Sequence, residues 1–261
     1  MPELPDVEGF RRYFRRYAAG RQVRGVRVVD RTLLRNTSPE RLTRALTGRR
    51  LGPPRRVGKW LMAPAEGPVL LMHFGMTGLL HWTAHPGDLH PHDRVVLELD
   101  GGELRYRNMR KFGGVYLART EDEVERATGP LGPDAMQVDG ERLAELLKRR
   151  RGGLKAALMD QRLIAGIGNL LSDEVLWRAK LHPSRAAAGL SKGQLESLAR
   201  ELHSVIAASN RRGRIPPEPG WLTGARDRPD APCPRCGTRL RRATVAGRTA
   251  CWCPRCQRAG G

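Results

Sequence analysis

The chain has 261 residues, 39% of them hydrophobic, which is enough for one large core or two smaller ones. No apolar run reaches 18 residues, so we expect no membrane-spanning helix, and the first residues resemble neither a secretory signal nor a transit peptide. The 47 Lys and Arg residues outnumber the 27 Asp and Glu residues and leave a net charge of +20.

This positive charge favours an anionic partner, because so large a surplus otherwise costs self-repulsion. Nucleic acid is the first candidate. A membrane surface is the alternative, but the basic residues occur in every segment instead of along one amphipathic helix. We therefore expect a cytoplasmic protein that is associated with the nucleoid.

The first 130 residues predict a β-sandwich with a helix at its start. Pro5 suits the first turn of this helix, and apolar residues recur at helical spacing until Gly20. Ser38 is placed to cap a short second helix that ends at Ala45. Strands are predicted where apolar and β-branched residues alternate with polar ones, at residues 23–34, 49–62, 69–74, 94–99, 103–107 and 114–117.

The pattern changes after Pro133, and a helical region follows. The segment 164–169 is too rich in glycine to be helical, so its backbone can approach a ligand closely. Residues 211–232 have the composition of a loop or linker. Helical periodicity occurs at residues 141–148, 154–159, 170–178 and 194–208. The predicted fold class is α+β, with domains at 1–130 (β-sandwich), 131–222 (helical) and 223–261 (cysteine-rich).

The last region carries two Cys-x-x-Cys pairs that predict one structural zinc ion. Cys233 and Cys236 form the first pair, and Cys253 and Cys256 follow after the 16 residues 237–252. All five cysteines lie in this short window, and their odd number argues against a disulfide framework. Cys251 is expected to point to the opposite face of its strand as a free or buried thiol. Several arginines around the module could contact phosphate.

The N-terminus offers an unusual nucleophile if Met1 is removed. A free α-amine has a pKa near 8, so a usable fraction is unprotonated at neutral pH, whereas a Lys amine is almost wholly protonated. Attack of Pro2 on a sugar C1′ would give a cationic iminium that promotes loss of the phosphate. Glu3 could act there as general acid or base. Because Met-Pro starts are common, these two residues alone do not establish a catalytic site.

Three further segments combine basic, aromatic and apolar residues on glycine-flanked turns. They are 55–61, which contains Lys59, 73–78, which contains His73 and Met76, and 108–113, which contains Arg110 and Phe112. Each has an ordinary explanation as a solvated charge, a core residue or a packed aromatic. Together, a long apolar side chain, an arginine and an aromatic ring are suited to fill the gap that a flipped nucleotide leaves in a duplex.

These motifs, taken in order, resemble the Fpg/Nei family of DNA glycosylases, formamidopyrimidine-DNA glycosylase and endonuclease VIII. The resemblance runs through Pro2-Glu3-Leu4-Pro5, Gly58-Lys59, His73-Phe74-Gly75-Met76, Arg110-Lys111-Phe112-Gly113, Asp160-Gln161, Gly166-Ile167-Gly168-Asn169 and the four paired cysteines. It implies a β-sandwich, a helix-two-turns-helix domain and a zinc ribbon, with double-stranded damaged DNA bound in a cleft between two lobes. It also implies a monomer that removes damaged, oxidised bases and cleaves the abasic site by β,δ-elimination.

The resemblance assigns a role to each site residue. Pro2 would be the Schiff-base nucleophile, Glu3 the general acid or base, and Lys59 the cation that holds the phosphate beside the lesion. Met76, Arg110 and Phe112 would fill the void, with Arg110 facing the orphaned base. The remaining DNA contacts would be phosphate contacts made by His73, Asn169, the Gly168 amide and Arg248.

The sequence departs from the family pattern in two places: the first affects a supporting role more than the reaction itself, and the second bears on substrate choice. The first-helix Glu of the family is Asp6 here, and residues 211–232 lack the Gly-Thr-Leu-Arg-Asp type of segment that caps oxidised guanine. The Leu-Pro start favours the formamidopyrimidine branch, whereas the missing cap favours pyrimidine or bulky lesions. Two alternatives therefore stay open: a lyase for abasic sites or unusual adducts, and a non-catalytic binder of distorted DNA. The presence of Pro2, Glu3 and Lys59 together argues against the latter.

Overall fold

The computed structural model describes residues 2–259, and contacts between residues divide them into two units. The first unit contains Pro2 and Asp6–Pro130. The second contains Glu3–Pro5 and residues 131–259. Three residues from the start of the chain belong to the second unit, where the completely buried Leu4 packs in a core of helical residues.

Two antiparallel sheets enclose the core of the first unit, which confirms the predicted β-sandwich. Their strands are β1 (Val23–Val28), β2 (Arg55–Val57), β3 (Trp60–Pro64), β4 (Val69–His73), β5 (Gly78–Thr83), β6 (Asp93–Leu99), β7 (Gly102–Asn108) and β8 (Gly114–Ala118). One sheet has the order β1-β6-β7-β5 and the other β2-β3-β4-β8. Apolar side chains from both sheets, such as Leu61 and Leu97, share one buried cluster.

Three helices occur in the same part of the chain as these sheets: α1 (Leu4–Tyr17), α2 (Pro39–Leu46) and α3 (Glu121–Thr128). The predicted cap of α2 is confirmed, because the Ser38 hydroxyl accepts a hydrogen bond from the Arg41 N–H. The strand prediction for 49–54 was wrong, since this stretch forms only an isolated bridge between Arg50 and Gln22, and continuous strand pairing begins at residue 55. Neither β5 nor α3 was predicted.

The second unit is helical, as predicted, and buries a separate apolar cluster. The last of its helices starts with a capping box between Ser191 and Gln194 and extends beyond its predicted end at Ala208. Within residues 2–259, no helix has both the length and the apolar character needed to cross a membrane. The helices are α4 (Gly140–Lys148), α5 (Leu154–Met159), α6 (Asn169–Arg178) and α7 (Lys192–Arg212).

The same unit ends in a two-stranded hairpin of β9 (Arg241–Val245) and β10 (Arg248–Trp252). Ala246 and Gly247 form its turn with φ angles of 50° and 71°, the left-handed conformation that a two-residue hairpin turn requires. The hairpin packs through Cys251 and Leu240 onto Trp177 of α6. The cysteine-rich module therefore shares a core with the helices.

Candidate active site and nucleic-acid interface

Glu3 occupies the amino-terminal end of α6. Its side chain is fully buried, and its two carboxylate oxygens accept hydrogen bonds from the backbone N–H groups of Gly168, Leu170 and Leu171 at 2.8–3.0 Å. The Leu4 N–H also donates to the Gly166 carbonyl at 3.1 Å, which fixes the adjoining backbone. The partial positive charge at a helix start stabilises an anion, so the negative charge of Glu3 is well accommodated.

This arrangement corrects one expectation. We expected the Gly168 amide to be free to grip a phosphate, but the structure shows it donating to Glu3. Gly168 instead provides space: a Cβ atom there would lie 2.6 Å from Cγ of Glu3. Its φ of −121° is ordinary extended backbone, so the close approach of Glu3, not backbone strain, is what requires glycine.

Asn169 is the first residue of α6 and lies between Gly168 and Leu170, whose N–H groups hold Glu3. Its Oδ1 atom is shielded from solvent and, within residues 2–259, accepts no hydrogen bond. Gln161 supports the glycine-rich segment next to it by donating to the Ile167 carbonyl at 2.8 Å and accepting from the Gly166 N–H at 3.0 Å. The segment is therefore held by side-chain hydrogen bonds where helical bonds are missing.

Lys59 lies in the first unit, in the two-residue turn that joins β2 to β3. Gly58 precedes it with φ 56°. The largely buried Arg56 donates to the Gly58 carbonyl at 2.8 Å and pairs with Glu8 of α1 at 3.3 Å. Arg56 and its neighbouring carboxylate thus fix the backbone of the turn that carries Lys59.

His73 ends β4 directly opposite Trp60, the residue after Lys59. Burial and the nearby Lys59 charge lower the pKa of His73 to about 4, so the imidazole is neutral at physiological pH. Its Nδ1 atom accepts a hydrogen bond from the Gly75 N–H at 3.3 Å, which leaves the proton of the neutral ring on Nε2. His73 can therefore donate a neutral hydrogen bond to a phosphate oxygen.

Two turns of the first unit, residues 74–77 and 108–113, pack against each other and are called the turn pair below. Glycines allow this contact: a Cβ at Gly113 would lie 2.7 Å from the Gly75 nitrogen. The buried Asn108 joins the two turns by accepting from the Thr77 hydroxyl and donating to the Phe112 carbonyl at 2.7 Å. Sequence reasoning gave Asn108 no role.

The turn pair carries the predicted void-filling residues at its surface. Met76 is partly buried, Arg110 is exposed, and Phe112 is 52% exposed, which is unusual for a phenylalanine. The Arg110 guanidinium lies 5.4 Å from the centre of the Phe112 ring. The structure thus brings the turns of all three residues together on a rigid support, with an aromatic ring and a cation available to a partner.

The four paired cysteines converge as the zinc prediction requires. Their sulfur atoms all lie within 4.8 Å of one another, and Cys236 is 3.5 Å from both Cys253 and Cys256. Tetrahedral zinc–thiolate geometry, with bonds of about 2.3 Å, needs sulfur separations of roughly this size. The indole N–H of Trp177 also donates a hydrogen bond to the Cys233 sulfur at 3.3 Å. Groups around a metal site commonly hold its ligands by such bonds. The site fits one structural zinc ion.

Cys251 is not part of this set. It is 1% exposed, and burial raises the pKa of its thiol to about 11, so it is protonated at neutral pH. The expected buried free thiol is confirmed, but Cys251 shares one buried cluster with Cys233 and Cys253 instead of facing away from them. Arg248, at the start of the same strand, is exposed next to the hairpin turn.

The segment 211–232 folds back on the helices. Arg212 of α7 pairs with Glu218 at 2.9 Å, and Thr223 donates from its hydroxyl to the Pro216 carbonyl at 2.6 Å. The Thr223 N–H also donates to the buried Glu174 of α6 at 3.1 Å. This part of the chain is a connection that is bonded internally and to α6.

Comparison with known proteins gives three sequence-family matches that follow one another along the chain. The formamidopyrimidine-DNA glycosylase N-terminal domain matches residues 1–115, the H2TH domain of the same enzymes matches 131–215, and a zinc finger found in Fpg and isoleucyl-tRNA synthetase matches 231–259. The formamidopyrimidine-DNA glycosylase of Streptomyces avermitilis is 36% identical, with 99% of this chain and 98% of that protein covered. The Synechocystis protein of the same name is also 36% identical, with 98% of both covered.

Solved structures of Lactococcus lactis Fpg are similar over 98% of this chain and 100% of theirs, at 26% identity. A complex with DNA that contains an abasic site has a TM-score of 0.88. A complex with DNA that contains N7-benzyl-Fapy-dG has a TM-score of 0.89.

Proposed function

The chain belongs to the formamidopyrimidine-DNA glycosylase family, and from this premise we propose that it removes damaged bases from DNA and then cleaves the abasic site. One observation carries the proposal: a fully buried carboxylate, Glu3, is held by three backbone amides and is adjacent in sequence to Pro2. Removal of Met1 makes Pro2 the terminal amine, and a protein that only binds DNA gains nothing from burying an acid beside it. A lyase needs both groups.

In the proposed reaction the Pro2 nitrogen attacks C1′ of the damaged nucleotide. The glycosidic bond breaks, and the base leaves with the bonding electrons and takes up a proton. The sugar ring then opens, O4′ is protonated, and an iminium joins Pro2 to C1′. Glu3 exchanges protons with the sugar during these steps, and its negative charge stabilises the cationic iminium beside it.

Strand cleavage follows from the iminium, which withdraws electrons from the sugar. Loss of a proton from C2′ breaks the C3′–O bond and releases the phosphate on that side. A second elimination breaks the bond from C5′ to the other phosphate. Water then hydrolyses the iminium and restores the Pro2 amine. Zinc has a structural role, because its four thiolates leave no open position for a reacting group.

We propose that DNA binding uses both units. In the first, Lys59 and His73 contact phosphates beside the lesion, and the turn pair inserts Met76, Arg110 and Phe112 into the duplex. In the second, Arg248 and the side-chain amide N–H groups of Asn169 donate hydrogen bonds to phosphates. Gly168 acts through Glu3.

We also propose the finer assignments. Residues 1–130 form the catalytic domain, 131–222 the DNA-binding helical domain and 223–261 the zinc ribbon. The net charge of +20 favours a protein that associates with the nucleoid. It also disfavours self-association, so one monomer should bind one duplex, which sedimentation of the complex would test.

A second candidate concerns the lesion. Residues 211–232 lack the capping type of segment and are bonded internally, which favours damaged bases that need no capping loop, such as bulky adducts or bare abasic sites. Excision rates on duplexes that each carry one oxidised purine, oxidised pyrimidine or N7-alkylated formamidopyrimidine would rank these substrates.

Borohydride trapping on a duplex with one abasic site tests the lyase reaction. We expect the protein with a free Pro2 to form a covalent product, and an N-terminally acetylated form to form none. Pro2→Gly should trap more slowly, whereas Pro53→Gly, in an exposed loop, should match the parent. Tight binding without any trapped product would instead support the non-catalytic binder.

A further inference from the structure

A buried group of charges connects the zinc-bearing hairpin to α6. Asp173 of α6 is 1% exposed, Lys155 of α5 is fully buried, and Arg226 of the connecting segment is 6% exposed. Such residues are rarely buried unless they are paired. None of them belongs to the site described above.

Asp173 is the centre of the group. Its Oδ1 accepts from the Lys155 ammonium at 2.5 Å, and its Oδ2 accepts from the Arg226 guanidinium at 2.9 Å. The Cys251 N–H of β10 donates to the same Oδ2 at 3.3 Å. One carboxylate therefore joins α5, the connecting segment and the hairpin.

The two cations also reach the hairpin directly. Lys155 and Arg226 both donate to the Thr249 carbonyl, at 3.2 Å and 3.1 Å. On the other strand, Arg242 donates to the carbonyls of Arg226 and Arg228. Both hairpin strands are thus bonded to the segment that holds Arg226, independently of the cysteine ligands.

This bonding bears on Arg248. It immediately precedes Thr249, whose carbonyl has no freedom to move while it accepts from two buried cations. The same helix that carries Asp173 begins at Asn169, the other proposed phosphate contact of this unit. Bonds to one helix therefore link the segments that carry the two proposed contacts.

We propose that Arg226 and Asp173 are positioning residues that hold the zinc hairpin on α6 and so place Arg248 for contact with a DNA phosphate. The proposal rests on the proposed DNA-binding function of Arg248. The cysteine end of the ribbon is bonded to α6 through Trp177 and Cys233. Asp173 and Arg226 add the bonds that hold the hairpin strands on the same helix.

A double-mutant cycle on DNA affinity tests the proposal. Arg226→Met keeps the length of the side chain but removes its donors, and Arg228→Met is the matched control, because Arg228 is exposed two residues away and loses the same charge. We expect Arg226→Met and Arg248→Ala each to weaken binding about tenfold and the double variant to be no weaker than Arg248→Ala. Arg228→Met should change the affinity less than twofold.

Two further readouts separate positioning from general damage. Arg226→Met should raise the apparent KM for abasic DNA, keep kcat within twofold and retain one zinc per chain. Amide hydrogen exchange should accelerate in residues 241–252 and stay unchanged in α7. If Arg226→Met does not fold, Arg226→Lys, which keeps one charged donor, provides the same comparison.

Additive losses in the cycle, or unchanged exchange in the hairpin, would overturn the proposal. If Arg248→Ala binds DNA normally, the proposed phosphate contact of Arg248 fails, and hydrogen exchange still decides whether Arg226 holds the hairpin.

Discussion

The site of Glu3 and the turn pair present their functional groups in opposite ways. Glu3 is fully buried, and the groups that hold it are backbone amides of Gly168, Leu170 and Leu171. In the turn pair, Arg110 and Phe112 are exposed, and the group that holds their turns is a side chain, Asn108. The Glu3 site holds its reacting carboxylate through main-chain N–H groups. The turn pair holds its exposed side chains through one buried side-chain amide, that of Asn108.

The difference predicts where each site is vulnerable. The N–H groups that hold Glu3 remain when the side chains of their residues are changed. The Glu3 site is therefore sensitive only to a side chain that occupies the space of Glu3 and to loss of the carboxylate itself. The turn pair is sensitive to loss of Asn108, because several buried backbone and hydroxyl groups would lose their partner together. Its exposed side chains contribute little to the free energy of unfolding.

The largest effect is expected from Gly168→Ala. The added Cβ would lie 2.6 Å from Cγ of Glu3, so the carboxylate must move. Displacing a general acid or base costs about 10²-fold to 10⁴-fold in rate, and we expect at least a 10²-fold loss in single-turnover cleavage of abasic DNA. Gly193→Ala is the control, because a Cβ at Gly193 meets nothing within 4 Å, and it should cleave at the parental rate. Parental activity in Gly168→Ala would show that the Glu3 position is not needed.

Asn108→Ala should have the next largest effect, on stability. It removes the acceptor for the Thr77 hydroxyl and the Lys111 N–H and the donor to the Phe112 carbonyl. We expect the free energy of unfolding to fall by about 3 kcal/mol in urea titrations. The neighbouring Met109, 52% exposed, provides the control, since Met109→Ala should change it by less than about 0.5 kcal/mol. Equal losses of unfolding free energy in both variants would mean that Asn108 has no special role in holding the two turns together.

Local sequence signals predicted the elements that have local causes. The Ser38 cap, the periodicity of α5 at 154–159 and the spacing of the four paired cysteines are all visible within a short window, and the structure confirms them. Helix α3 was missed because Val124 is its only buried residue, too little for helical periodicity. Its cap, Thr120, carried the signal that could have found it.

The contacts that define the site have no local signal. Glu3 meets the start of α6 across 165 residues, and Asp173 meets Cys251 across 78. The sequence indicated that Gly166 to Asn169 approach a ligand, but it did not show that the ligand of the Gly168 amide is the chain's own carboxylate. Likewise, Asn108 was visible only as part of a basic turn, because its bond to Thr77, which joins this turn to the other one, spans 31 residues.

The smallest effect is expected on the free energy of unfolding when the pH is lowered, because His73, next to the turn pair, takes up a proton. The folded protein holds the pKa of His73 at about 4, below the value of about 6.5 in an unfolded chain, so the unfolded state binds the extra proton first. Stability from this group is complete above pH 6.5 and is lost as the pH falls towards 4, by about 2 kcal/mol at pH 5. His73→Gln lacks this dependence, so the difference in unfolding free energy between parent and variant should shift by that amount from pH 7.5 to pH 5. A difference that stays constant with pH would show that His73 titrates normally in the folded protein, and the neutral hydrogen bond assigned to it would then be wrong.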